Sequence, residues 1–218
     1  KAFWTPFVVD YHGLRFSKYA PGWPQWLSLG VRLRAPWLVN TLLGTVTLAL
    51  IAWLGRSYYR PAVGLLAAGL GLVTPGFLFL SASLLSHPAS LFWATLALLT
   101  FFYAVTLRPG CALLTGLALG AAFVTRPFAG LGLAIPIGIF GLILAGRGEY
   151  PWKSMLWLLV GLIPAAALLP LYWWAITGNP TFNAYVLVWP YDRVGFGADI
   201  GPYGYGLNEA LFINTRLK

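Results

Sequence analysis

Charge is what this sequence has least of. Only 9% of its 218 residues are Asp, Glu, Lys or Arg, whereas an ordinary soluble domain carries roughly 25%. None of these four occurs between Arg60 and Arg108. A water-soluble chain of this length could not cover its surface so sparsely, so residues that would otherwise face water must face lipid. Acids are scarcest, 5 against 14 basic residues, and the net charge is +9. The basic residues stand at the ends of apolar runs rather than along one stripe, which marks membrane boundaries and speaks against a nucleic-acid partner. Cys111 is alone, so an internal disulfide is excluded. His12 and His87 are the only histidines and have no cysteine or carboxylate at ligand spacing, so no metal site is expected. No P-loop, G-x-S-x-G or H-E-x-x-H is present.

Apolar residues make up 59% of the chain and fall into six runs. Five have the length of roughly 20 residues that a hydrocarbon core requires: 36–54, 61–80, 88–107, 127–146 and 154–177. A sixth, 110–125, is shorter and must cross with little tilt or end inside the protein. None alternates as a barrel strand would, so the expected fold class is all-α, a polytopic bundle of about six spans. Pro36, Pro61, Pro88 and Pro127 stand at helix starts, while Pro75, Pro136, Pro164 and Pro170 lie inside runs and predict kinks. Gly116 and Gly120 form a G-x-x-x-G close-packing face, expected to act within the bundle.

Three segments follow from this: an outer loop with an interfacial helix at 1–35, the bundle at 36–177, and an outer glycine- and aromatic-rich segment at 178–218. Trp23, Trp26, Leu27, Gly30 and Val31 share one face of the interfacial helix. The loops after the first, third and fifth spans hold Arg56, Arg60, Arg108, Arg147 and Lys153, whereas those after the second and fourth hold only His87 and Arg126. Positive residues favour the cytoplasm, so both ends of the chain are expected outside it.

Candidate chemistry gathers at the outer helix ends. Lys18-Tyr19-Ala20-Pro21-Gly22-Trp23-Pro24 predicts a rigid turn presenting a lysine, either as a phosphate ligand or as a basic anchor at the lipid surface. His87, in Ser83-Leu84-Leu85-Ser86-His87-Pro88, is either a hydrogen-bond donor to a sugar or phosphate or a solvated loop residue. Arg126 lies between two apolar runs, where an ionisable group is costly unless it meets an anion or a cavity. Trp189-Pro190-Tyr191-Asp192-Arg193 opens a segment suited to stacking aromatics on sugar faces and offering Asp192 to hydroxyls.

In this order, the K-Y-x-P-G-x-P turn, A-P-W-L-V-N, S-H-P-A, V-T-R-P-F, A-I-P and W-x-Y-D-R-V-G-F-G, the chain resembles bacterial members of the C-type glycosyltransferase superfamily, relatives of protein O-mannosyltransferases and aminoarabinose transferases. The resemblance implies a multi-pass enzyme of the bacterial inner membrane. It would take sugar from a polyprenyl-phosphate carrier and transfer it to an acceptor outside the cytoplasm. It implies that Lys18 and Arg126 bind the carrier phosphate, with Tyr19, His87, Asp192 and Arg193 on the substrate. No cofactor follows from it, and divalent-metal dependence stays open. The family's base is an acid in the first outer loop after an opening helix. Asp10 lies too near the proline turn to match it, so the base is expected upstream of Lys1 and these 218 residues alone are expected to be inactive. A secondary transporter and a non-catalytic membrane scaffold are the alternatives.

Overall fold

A computed structural model describes residues 8–202 and 204–216. They form two compact units, one comprising the chain through Tyr19 together with everything from Tyr172, the other Ala20–Leu171.

The larger unit is helical throughout. Its elements are α1 (Gly22–Arg32), α2 (Pro36–Tyr58), α3 (Pro61–Val73), α4 (Pro75–Ala82), α5 (His87–Thr106), α6 (Cys111–Thr125), α7 (Pro127–Gly146) and most of α8 (Trp152–Thr177). Proline occupies the first or second position of α2, α3, α4, α5 and α7, where its missing N–H leaves no intrahelical bond unmade. Helices α2, α5, α7 and α8 are long and apolar enough to cross a membrane, and α3 with α4 makes a fifth if the bent pair is one span. The protein is therefore an all-α, multi-pass type of chain.

Two of the six expected runs differ from simple spans. The second is broken, α4 turning 67° away from α3. Thr74 explains why the break is tolerated: its N–H bonds Gly71 O, which Pro75 leaves without a donor, and its hydroxyl bonds Leu70 O at 2.6 Å. Pro136, Pro164 and Pro170 sit inside helices that continue through them. The short run becomes α6, whose 15 residues reach only about 22 Å at 1.5 Å each.

Helix α5 is central, 39% of its most apolar stretch being buried against 17–28% for the other three long helices. The core joins Ala97, Phe101 and Ala104 of α5 to Ala118 and Leu119 of α6, Ile137 and Leu144 of α7, and Tyr150, Met155 and Leu158. α6 approaches α8 closely: a Cβ on Gly116 would run into Leu158 O, and one on Gly120 would meet Ala165 Cβ. The G-x-x-x-G face is thus spent inside the bundle. α1 turns its face toward protein, with Trp23, Leu27, Leu43, Val39, Ala89 and Phe92 in one cluster and Trp26 6.0 Å from Trp93. Val31, expected on that face, is exposed.

The smaller unit begins with a hairpin that was not anticipated, β1 (Val8–Tyr11) paired antiparallel to β2 (Leu14–Ser17). His12 and Gly13 both take positive φ, 48° and 80°, the mirror-image turn that matches strand twist. Val9 and Phe16 are register partners and both are buried. Phe16 meets Trp173 at 5.8 Å, and Trp173 meets Phe182. A 3₁₀ turn (Ala184–Leu187) and α9 (Leu207–Arg216) complete the unit.

Candidate functional site

Lys18 follows β2 directly, and the hairpin fixes where it points. The proline turn was expected to present this lysine, but its side chain is only 3% exposed. Its ammonium lies over three rings, 3.8 Å from the Trp189 centroid, 5.1 Å from Tyr185 and 5.2 Å from Tyr19. Tyr19 itself is half in solvent and meets Tyr185 edge-on at 5.7 Å. Asp192 Oδ2 lies 3.9 Å from Lys18 Nζ, near enough to balance charge and too far for a hydrogen bond. Burial lowers the lysine's pKa below its ordinary 10.5, and the Asp192 carboxylate pulls in the opposite direction. Enclosed in this way, Lys18 is not the displayed group that the proline turn alone suggests.

A short, self-bonded loop delivers the partners. Asn183 caps the 3₁₀ turn by accepting from Tyr185 N at 3.1 Å, and its Nδ2 donates to Asp192 O. Trp189 N bonds Tyr185 O, and Asp192 N bonds Trp189 O at 2.9 Å. These bonds tie Tyr185, Trp189 and Asp192 into one loop. Trp189 belongs to the segment whose aromatics suit stacking on sugar faces, whereas nothing local in the sequence distinguishes Tyr185 and Asn183 from ordinary loop residues.

Beyond this wall lies an open groove of about 430 Å³ lined by Trp189, Tyr191, Asp192, Arg193, Ile200, Gly201, Pro202 and Tyr205. Gly197 and Tyr205 exchange both backbone bonds, at 3.0 and 2.9 Å, which folds the glycine-rich segment back on itself. Gly195, Gly201 and Gly204 adopt positive φ and make that return possible. Phe196 stacks on Tyr205, the rings only 8° from parallel. Asp192, 41% exposed, and Arg193, exposed, supply the groove's charges. Flat rings beside a carboxylate acceptor suit a ring that is apolar on its faces and hydroxylated at its edge.

The structure thus gathers Lys18, Tyr19, Asp192 and Arg193 in the smaller unit. His87 and Arg126 belong to the larger one. His87 opens α5 and is exposed. Arg126 is half-buried in extended backbone between α6 and α7, and its guanidinium makes no ion pair or hydrogen bond among the described residues. The motif around it is tightly built. A Cβ on Gly22 would come within 2.7 Å of Val124 C and O, so only glycine lets α1 start against the end of α6. The turn before His87 is held by Trp23 Nε1 to Leu84 O at 2.9 Å, and by Asn40 Nδ2 to Ser83 O and Leu85 O. Asn40, wholly buried, is the other residue the sequence did not single out.

Asp10 pairs across the hairpin with Arg15 at 3.4 Å, both well exposed. No group of three or more His, Cys, Asp or Glu placed to hold a metal occurs among the described residues. No family model, curated protein or solved structure matches the chain.

Proposed function

We propose that this chain is part of an integral membrane glycosyltransferase that takes sugar from a polyprenyl-phosphate donor and transfers it to an acceptor outside the cytoplasm of a bacterium. The observation that carries the reading is the groove of Trp189, Tyr191, Tyr205, Asp192 and Arg193, in a chain with at least four apolar helices of membrane length. Rings stack on the sugar, and the carboxylate accepts from its hydroxyls. Arg126, a half-buried cation that makes no ion pair among the described residues, is the residue assigned to the carrier phosphate, with His87 as a further donor. A lipid-linked donor suits a protein that exposes many large apolar side chains. The resemblance in motif order supports the same class.

The broken helix at Thr74 favours a transporter, since discontinuous helices build many transport sites. Those sites also hold charge near the break, and here no Asp, Glu, Lys or Arg lies between Arg60 and Arg108.

The test is transfer of labelled hexose from a polyprenyl phosphate by the native membrane protein in vesicles. Trp189→Ala and Asp192→Ala are each expected to reduce transfer at least tenfold at equal abundance. Arg126→Ala is expected to weaken donor binding about tenfold, the loss of one charge-assisted contact. Wild-type rates in all three variants would refute this assignment, and solute movement across the vesicle without transfer would favour the transporter.

A further inference from the structure

Lys18 sits in surroundings that would suit a ligand's ammonium: three aromatic faces and a carboxylate. That chemistry is already occupied by the chain itself. Resting on the groove assignment above, we infer that Lys18 is a specificity-determining residue, which makes the groove a site for an uncharged sugar and rejects amino sugars.

Asp192 is the only acid among the described residues that line the groove; its side chain is 41% exposed and its carboxylate lies 3.9 Å from Lys18. Left alone beside Trp189 and Tyr191, that carboxylate would attract a cation. Lys18 balances it from behind, and Arg193 adds a second positive charge on the lining. An entering ammonium therefore gains little from Asp192 and is repelled by two like charges, a built-in penalty against the wrong ligand. A hydroxyl loses nothing, because a paired carboxylate still has lone pairs free to accept. The volume falls in the range of about 300–1,000 Å³ usual for small-ligand sites. Lys18 acts here without touching the ligand, through the charge of the residue that does.

The experiment is saturation-transfer NMR on the native protein in nanodiscs free of sugar detergents, with methyl glucoside and its amino counterpart, methyl glucosaminide, near neutral pH. The unaltered protein is expected to bind the neutral sugar better by at least tenfold. Lys18→Met, which keeps the apolar stem, is expected to move the preference toward the amino sugar by at least tenfold, and Lys18→Arg to leave it near the original. Sugar binding with an unchanged preference in Lys18→Met would overturn the inference while leaving the groove assignment standing. A wild-type preference for the amino sugar would overturn it even if Lys18→Met fails to fold. Binding of neither sugar to the unaltered protein would remove the groove assignment and the inference with it.

Discussion

The Lys18 ammonium lies 3.8 Å from the centroid of the Trp189 ring, closer than to either tyrosine around it. This contact joins the end of the hairpin to the loop that walls the groove. A desolvated ammonium over tryptophan contributes about 2 kcal/mol, and an exposed one less. A double-mutant cycle of Lys18→Met and Trp189→Leu on unfolding stability is therefore expected to show coupling of about 1–2 kcal/mol. Additive losses would mean that the two residues merely pack nearby.

The same burial sets a pH dependence. The pKa of Lys18 is lowered in the folded protein, chiefly by desolvation, with Asp192 only partly opposing. The folded state thus releases this proton at lower pH than the unfolded chain. Between the folded value and the ordinary 10.5 the unfolded chain binds more protons, so stability rises with pH in that window. The cation–π contacts and the ion pair disappear over the same range. Thermal midpoints of the wild type measured against Lys18→Met are expected to improve from neutral pH toward 10.5. A wild-type advantage that shrinks with pH would mean that Asp192 dominates and the lysine's pKa is raised.

The spans were legible because apolar runs of membrane length need no tertiary information. What the runs conceal is their ends: Pro75 and Pro136 look alike in sequence, yet only Pro75 breaks its helix, where Thr74 can cover Leu70 O. The hairpin had a visible signal, alternating residues around His12-Gly13, hidden by its brevity beside long apolar helices. The burial of Lys18 was not legible at all. It depends on Tyr185, Trp189 and Asp192, which folding brings from the far end of the sequence. Local residues argued for a displayed lysine, and distant rings enclose it.

Close helix packing gives a contrast between glycines that all lie inside apolar helices. Gly116 faces Leu158 O directly, and Gly161 faces Leu113 O from the other helix, whereas Gly138 has open space where a Cβ would stand. Gly116→Leu is expected to cost about 1–3 kcal/mol or more through overpacking between α6 and α8. Gly138→Ala is expected to be neutral or to gain up to about 1 kcal/mol, since alanine loses less backbone entropy in a helix. Thermal unfolding in a mild detergent separates them, and equal effects would show that α6 and α8 are not in backbone contact.

Asn40 has a narrower role. Its Nδ2 holds Ser83 O at 2.7 Å and Leu85 O at 2.8 Å, closing the turn that leads into His87. Replacing it with leucine leaves two carbonyls without that donor, expected to cost about 1–3 kcal/mol. A cysteine at Ser86 should then react faster with thiol reagents in Asn40→Leu than in the unaltered background. Unchanged reactivity would leave the turn to Trp23 alone.

Topology is tested by two exposed positions, Ser57 at the end of α2 and Thr181 after α8. Between them lie the α3/α4 pair, α5, α6, α7 and α8. If all five cross, the crossings are odd in number and the two positions lie on opposite sides. If α6, with 15 residues, or the bent pair turns back, the number is even and they share a side. Single cysteines at each, in a Cys111→Ser background, can be challenged with an impermeant thiol reagent on intact cells. The basic residues Arg56 and Arg60 beside Ser57 favour the cytoplasm, so labelling is expected at Thr181 only. Labelling at Ser57 only would keep the six crossings and reverse the orientation. Labelling at both, or at neither while both react after lysis, would remove one crossing and leave α6 or the bent pair embedded from one side.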